Sequence, residues 1–273
     1  MGLRINTNIA SLNAQNNLEM ISQRLSGNYS RLSSGLRITQ ASDDAAGLAL
    51  SEKMRAKIKS YEQSSRNAQD GISMVQTSEG ALQETGNLLN RIRELSVQAA
   101  NGTLGTTERT TINNEVQALI SEIDRIASTT EFNGVNLLDG STTTASIQVG
   151  INANQTVDVA LQNSTATTLA INAISTTSVA NANTAITAVD AAITTLAQAR
   201  GRLGASQNRL QSAFASIQTA RENTAASESR IRDVDFASET ADLTRNTILQ
   251  QAATSVLQQA NVQPQLALSL LRG

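Results

Sequence analysis

Side chains that move protons, hold metals or attack electrophiles are nearly missing from this chain. Its 273 residues include no histidine and no cysteine. That removes the commonest general base and metal ligand and rules out thiolate or disulfide chemistry. Without a histidine, no serine here can act as a triad nucleophile. Two acidic clusters remain, Asp43–Asp44 and Asp233-Val-Asp235. Close acids can bind a cation, but acids at a helix start also satisfy free N–H groups and favour the positive end of the dipole. Capping is the reading for both. Ser42 is expected to cap a helix with Asp43 and Asp44 in its first turn, and Asp233 and Asp235 to begin the last helix. No catalytic residue, cofactor, metal or small-molecule substrate is expected.

The elements that carry these residues read as long helices. In the stretch 42–101, apolar or small residues recur at Leu50, Met54, Ile58, Tyr61, Ala68, Ile72, Val75, Leu82, Leu89, Ile92, Leu95 and Ala99, mostly three and four apart. A continuous helix of that span is a rod of roughly 85–90 Å. Such a rod needs partner helices, because its stability comes from burying the apolar stripe. Residues 3–36 show Ile5, Ile9 and Leu12, then Leu18, Ile21, Leu25, Tyr29 and Leu32, with a phase slip between the sets like a coiled-coil stutter. They predict a helix over 6–33. Ile112, Val116, Leu119, Ile123 and Ile126 form a regular heptad seam. Residues 146–150 and 156–161 alternate with period two around an Asn-rich connector and predict a β-hairpin, followed by loop over 162–183. The helical period returns at Ile186, Val189, Ile193, Leu196, Leu203, Leu210, Phe214 and Ile217, for a helix over 181–226. Val234, Ala237, Ala241, Ile248, Ala252, Val256 and Ala260 predict a last helix, ending near Pro264. Gly71, Gly80 and Gly86 weaken the rod unless a neighbouring helix approaches closely there.

Composition fits this plan. Aromatics are 2% with no Trp, so small aliphatics build the seams. The net charge is −2, which argues against nucleic acid or an anionic membrane. No segment has the length or apolarity to span a bilayer, and the N-terminus lacks a cleavable secretory signal. Composition alone therefore reads as a soluble cytoplasmic protein. The apolar stripes of the two terminal helices exceed what one two-helix contact covers. Their polar residues are mostly uncharged, so like faces do not repel. That implies burial against further copies, and a head-to-tail contact that does not close gives a filament.

The segments LRINTNIASLNAQNNL, YSRLSSGLRITQASDDAAGLALSEKMRAKI, LLNRIRELSVQAANGT, SEIDRIASTTEFNGVNLLDG and ESRIRDVDFASETADLTRNTILQQAATSVLQQANVQPQLALSLLRG resemble bacterial flagellin, over almost the whole chain. The resemblance implies a mainly α fold: an elongated antiparallel long-helix bundle with a small β-hairpin near 146–161 and a terminal N/C coiled coil. Residues 1–42 and 230–273 would form the two halves of the filament-core coil, and 43–229 the helical rod domain. The space between the two halves leaves room for the hairpin and little else, as in a short, core-only flagellin. The function implied is a structural subunit that self-assembles into the flagellar filament. A hook–filament junction protein and a cytoplasmic signalling coiled coil are the alternatives.

The same resemblance revises the location to a secreted, extracellular filament, reached unfolded through the flagellar type III export channel. Its implied partners are many copies of the same chain, a filament cap protein, hook-associated protein and an export chaperone. The assembly seam expected from the apolar tracks is Ile5, Ile9, Leu12, Leu18, Ile21, Leu25, Leu32, Val234, Ala241, Ile248, Ala252, Val256, Leu257 and Leu270. Arg91, Leu95 and Gln98, with Glu115 on the neighbouring helix, match the family's contact set for an animal Toll-like receptor. The plainer expectation is that this face touches the next subunit. Asn28, Asn101, Asn154 and Asn163 begin glycosylation sequons that chance explains in a chain rich in Asn, Ser and Thr.

Overall fold

Backbone hydrogen bonds along five helices account for most of the chain in a computed structural model, which describes residues 7–272, with side chains for 7–262. In order these are α1 (Ile9–Ser34), α2 (Ala45–Ala99), α3 (Thr106–Thr129), strands β1 (Glu131–Phe132), β2 (Val135–Asn136), β3 (Thr144–Gln148) and β4 (Thr156–Ala160), then α4 (Val179–Arg232) and α5 (Phe236–Arg272). The chain divides into two units, Met1–Ala56 with Asn223–Gly273, and Lys57–Glu222. Among the described residues no helix is long and apolar enough to cross a membrane.

The unit over Lys57–Glu222 owes its core to one face each of α2, α3 and α4. From α2 come Ile72, Val75, Leu82, Leu89, Ile92, Leu95 and Ala99, and from α3 Ile112, Val116, Ile120 and Ile123. On α4 the buried track is Ala182, Ala185, Val189, Ala192, Leu196, Ala199, Leu203 and Leu210, with Ser206 on the same phase. This differs from the expected track, since Ile186 and Ile193 are only half-buried. Alanine at alternate seam positions lets the helices approach closely, and alanine is the residue whose periodicity is hardest to see in a sequence. Gly71 and Gly86 fit the same logic. A Cβ on Gly71 would lie 3.1 Å from Ile147 and 3.3 Å from Leu210, and one on Gly86 3.3 Å from Leu196. Gly80 faces open space.

β3 and β4 pair antiparallel, with Ser146 opposite Asp158, and Val157 and Val159 turned into the core. A second, smaller hairpin, β1–β2, was not expected. Its Asn133-Gly134 turn has φ of 51° and 76°, the pattern of a type I′ turn. The irregular segment ends at 178 rather than the expected 183, because α4 already begins at Val179, and it is packed: Ala166, Leu169, Ile171 and Ile174 are buried. Side chains of α3 satisfy its backbone. Asp124 accepts from the Ala166 amide, Asn113 accepts from the Thr176 amide, and Gln117 donates to the Ile174 carbonyl.

In the unit formed by the chain ends, α1 and α5 lie side by side and antiparallel, because Ser11 meets Asn261 while Asn28 meets Asn246. Asn8 caps α1 by accepting from the Ser11 amide, and Gly35 ends it in the left-handed region. Two expected caps are displaced. Asp44 sits at the N-cap of α2 rather than in its first turn, accepting from the Gly47 amide at 2.8 Å. Asp43 closes the turn before it, accepting from the Thr39 and Gln40 amides and the Thr39 hydroxyl. Those donors, Gln40 first, hold the Asp43 carboxyl below its usual range. Asp235 caps α5 through the Ala237 and Ser238 amides, whereas Asp233 lies in a short bridge with Leu36. α5 also runs through Pro264 to Arg272 instead of stopping near it. A mid-helix proline costs about 3 kcal/mol, and the following Leu, Ala and Gln residues are strong helix formers.

The candidate assembly surface

α1 turns one heptad track toward α5: Ser11, Ala14, Leu18, Ile21, Leu25, Asn28 and Leu32. The facing track on α5 is Glu239, Leu243, Asn246, Gln250, Ala253, Leu257 and Ala260. The best-covered positions in this seam are mostly polar. Ser11, Asn28, Glu239 and Asn246 are buried, as are Ala14, Leu25 and Ala260, while Leu18, Ile21, Leu32 and Leu257 are half-covered. Asn246 donates to the Asn28 side-chain oxygen at 3.1 Å. Ser11 donates to Asn261 at 2.8 Å, and Asn8 donates to the Ala260 carbonyl at 2.8 Å. Arg31 lies 3.6 Å from Glu239, beyond hydrogen-bond reach, so that buried oxygen has a cation nearby but no donor.

A second set of large apolar side chains points the other way. Ile9 is 56% exposed, Leu12 52%, Ile248 60% and Val256 59%, and Ala241 and Ala252 are exposed too. Met20, Leu249 and Val262 add to this uncovered surface. On one flank, Ala14, Met20, Ile21, Leu249, Ala252 and Val256 line a groove of about 460 Å³ with Arg24 at its rim. Of the expected seam residues, Ile5 lies outside the described residues and Leu270 is described only as helical backbone. Val234 is not on α5. It lies in the preceding connector, half-buried, with its amide donating to the Gly35 carbonyl.

That connector has polar anchors that periodicity could not reveal. Arg37 donates its backbone amide to the Arg232 carbonyl at 2.6 Å and its guanidinium to the Ile231 carbonyl at 2.7 Å. Arg232 in turn pairs with Glu52 at 2.7 Å, which keeps the Glu52 carboxyl below its usual range.

The second expected face is split by the fold. Arg91 bonds Glu115 at 2.8 Å and Glu94 at 3.2 Å, and Gln98 is exposed. Leu95 is only 2% exposed and belongs to the core. Positions four apart on a helix are neighbours, but a core stripe wide enough to hold Ile92 and Leu95 takes the middle residue inward. Nearby, Arg93 pairs with Asp190 at 2.6 Å. Arg109, which the sequence did not single out, is buried and closes the α2 C-terminus. It donates to the Ala99 and Asn101 carbonyls, both at 2.9 Å. A cation there also suits the negative end of the helix dipole.

A pair of terminal helices that leaves a large apolar surface uncovered, with no group of acidic residues among the described residues able to hold a metal, fits a class: coiled-coil structural subunits that associate. The chain matches the family model described as bacterial flagellin N-terminal helical region over residues 5–143 and that described as bacterial flagellin C-terminal helical region over 186–271. It is 46% identical to a flagellin of Halalkalibacterium halodurans over 98% of this chain and 99% of the relative. A Bacillus subtilis flagellin is 45% identical over 99% of this chain and 100% of the relative. The crystal structure of Bacillus cereus flagellin covers 60% of this chain and 94% of its own, at 32% identity and a TM-score of 0.51. The chain belongs to the bacterial flagellins. It is a structural protein rather than an enzyme, and it polymerises into the flagellar filament.

Proposed function

We propose that polymerisation runs through the outward faces of α1 and α5, with Ile9, Leu12, Ile248, Ala252 and Val256 pressed against neighbouring copies. The observation that carries this reading is that the coil's own seam leaves a second set of large apolar side chains uncovered: Ile9, Leu12, Ile248 and Val256 are each more than half exposed. Exposed apolar surface of that extent marks an association site. The filament is extracellular, and the chain reaches it by export in an unfolded state. Capping, hook-associated and chaperone proteins would meet the same terminal helices, because those are the segments with apolar surface to cover.

The face of Arg91, Gln98 and Glu115 contacts the next subunit in this reading. Its Arg91–Glu115 pair is already formed within one chain, so it presents a fixed polar patch. An animal Toll-like receptor is a secondary partner for that patch, with Leu95 contributing only by supporting it from beneath.

Removal of residues 1–40 or 231–273 tests the assignment. Each truncated chain should remain helical and soluble but grow no filaments when seeded. Filaments from either one, seen by negative-stain microscopy, would place the subunit contacts elsewhere.

A further inference from the structure

The polar residues of the α1–α5 seam do not add apolar stability, so another role has to account for their burial. Asn28 is 5% exposed and Asn246 9%. Their 3.1 Å bond joins the two helices at one level, with the Arg31–Glu239 contact beside it. Asn8, Ser11, Ala260 and Asn261 tie the far end. Any slip of one helix along the other breaks this set. A half-heptad slip puts Asn246 against Leu25 or Leu32, and a full heptad puts it against Ile21 or Gly35. Each leaves two buried amides without partners, and buried unpaired polar groups are strongly disfavoured. The remaining seam residues are Ala, Leu and Ile with the half-covered Gln250, and the apolar ones discriminate poorly between registers, because apolar contacts of similar size are interchangeable.

We propose that the Asn28–Asn246 pair, backed by Arg31–Glu239, is the register pin of the terminal coil, and so determines which residues of α1 and α5 are left facing other copies. A single polar seam position is known physics for fixing alignment at the expense of stability. Here the pin acts within one chain, before or during subunit addition. The proposal rests on the assembly reading above, since the outward stripe matters only if copies cover it. Sliding α5 by one heptad would carry Ile248 and Val256 about 10 Å along α1, and the outward faces of the two helices would no longer match those of a pinned subunit.

The chain has no cysteine, so introduced pairs report register cleanly. With 28 opposite 246, residue 14 lies opposite 260, fourteen positions further along each helix. Ala14→Cys with Ala260→Cys is therefore the in-register pair, and Ala14→Cys with Ala253→Cys the pair one heptad out. Both are placed in the parent chain and in an Asn28→Leu/Asn246→Leu background. After seeding and mild oxidation, non-reducing gels separate intrachain from interchain cross-links. In the parent, the in-register pair should close at least about tenfold more than the shifted pair, since disulfides tolerate little change in Cα separation. In the Leu/Leu background that ratio should fall toward one. An unchanged ratio overturns the pin. Loss of polymerisation by a Leu/Leu chain of native helical content supports it, because added apolar contact should otherwise strengthen the coil. If the Leu/Leu chain does not fold, Asn28→Ala/Asn246→Ala carries the same comparison. A parent that never polymerises counts against the assembly reading instead, and the cross-link ratio in the unassembled chain still decides the pin.

Discussion

Ile248 separates contacts inside one chain from contacts between chains. It lies on the outward side of α5 and is 60% exposed. Complete burial of an isoleucine is worth ~1.5–3 kcal/mol. About three-fifths of that is unrealised in the lone chain, so covering Ile248 in the filament contributes about 1–2 kcal/mol per subunit. Ile248→Ala removes most of this. By the usual conversion, the critical concentration for polymerisation should rise roughly five- to thirty-fold. The lone chain should not suffer, because alanine is the better helix former by a few tenths of a kcal/mol and no buried contact is lost. The measurement is the unpolymerised fraction left after seeded growth, by sedimentation, beside a thermal melt followed by circular dichroism. A matched Leu25→Ala chain is the contrast. Leu25 is buried between α1 and α5, so its truncation should weaken the coil itself. If Ile248→Ala leaves the critical concentration unchanged, the outward stripe is not the subunit contact. If it instead lowers the melting temperature, Ile248 packs within the chain and the exposure argument fails.

Three further outcomes follow from the same structure. Arg109→Ala frees two carbonyls at the end of α2 and should reduce stability to denaturant by about 3–6 kcal/mol, from two hydrogen bonds worth ~1.5–3 kcal/mol each when charged; Arg109→Lys should recover part of it, and equal stability of all three chains would dismiss the capping role. Gly80→Ala should stabilise the monomer by up to about 1 kcal/mol, as its Cβ meets open space, whereas Gly71→Ala should gain nothing because Ile147 and Leu210 must move; the same gain at both sites would contradict the close packing of the β3–β4 hairpin. Finally, Asp43 has a lowered pKa, chiefly from the Gln40 and Thr39 amides. Its contribution is therefore complete above the unfolded value of about 3.9 and fades as pH falls through the lower folded value. The protection of the Thr39 and Gln40 amides against exchange, relative to an unfolded chain at the same pH, should be kept at pH 5 and lost only below the ordinary aspartate range, and Asp43→Asn should abolish that pH dependence.

How much was legible in the sequence differs from element to element. The α3 seam was legible in part: Ile112, Val116 and Ile123 are buried as their spacing implied, but Ile120 and Ala127 take the buried positions expected for Leu119 and Ile126, which are half-buried. The α4 seam was half seen. Its Leu and Val positions stood out, but Ala185, Ala192 and Ala199 carry too little side chain to mark a face. Leu95 shows the converse error. Helical spacing grouped it with Arg91 and Gln98, yet whether a residue at the edge of a stripe points in or out depends on the helix packed beside it. The Asn133-Gly134 turn could have been found from its dipeptide alone. Arg109 and Arg37 could not, because their partners are backbone carbonyls distant in sequence or set by the path of a turn.

Sequence by itself determined the helices, their amphipathic character and the family, since local propensity and spacing are properties of neighbouring residues. It also excluded most side-chain catalysis through the absence of histidine and cysteine. Only the tertiary structure decided which face of α1 and α5 turns inward. Both helices carry apolar residues on more than one face, and a one-dimensional pattern does not say which of those faces meets the partner helix. The fold turns the α1 track of Leu18, Ile21, Leu25 and Leu32 inward with Asn28 among it, but on α5 it takes the track of Leu243, Asn246 and Leu257 and leaves Ile248 and Val256 outside. That choice depends on the energy of a whole antiparallel pair, in which hydrogen bonds between residues 218 positions apart become available only once the chain has turned back on itself.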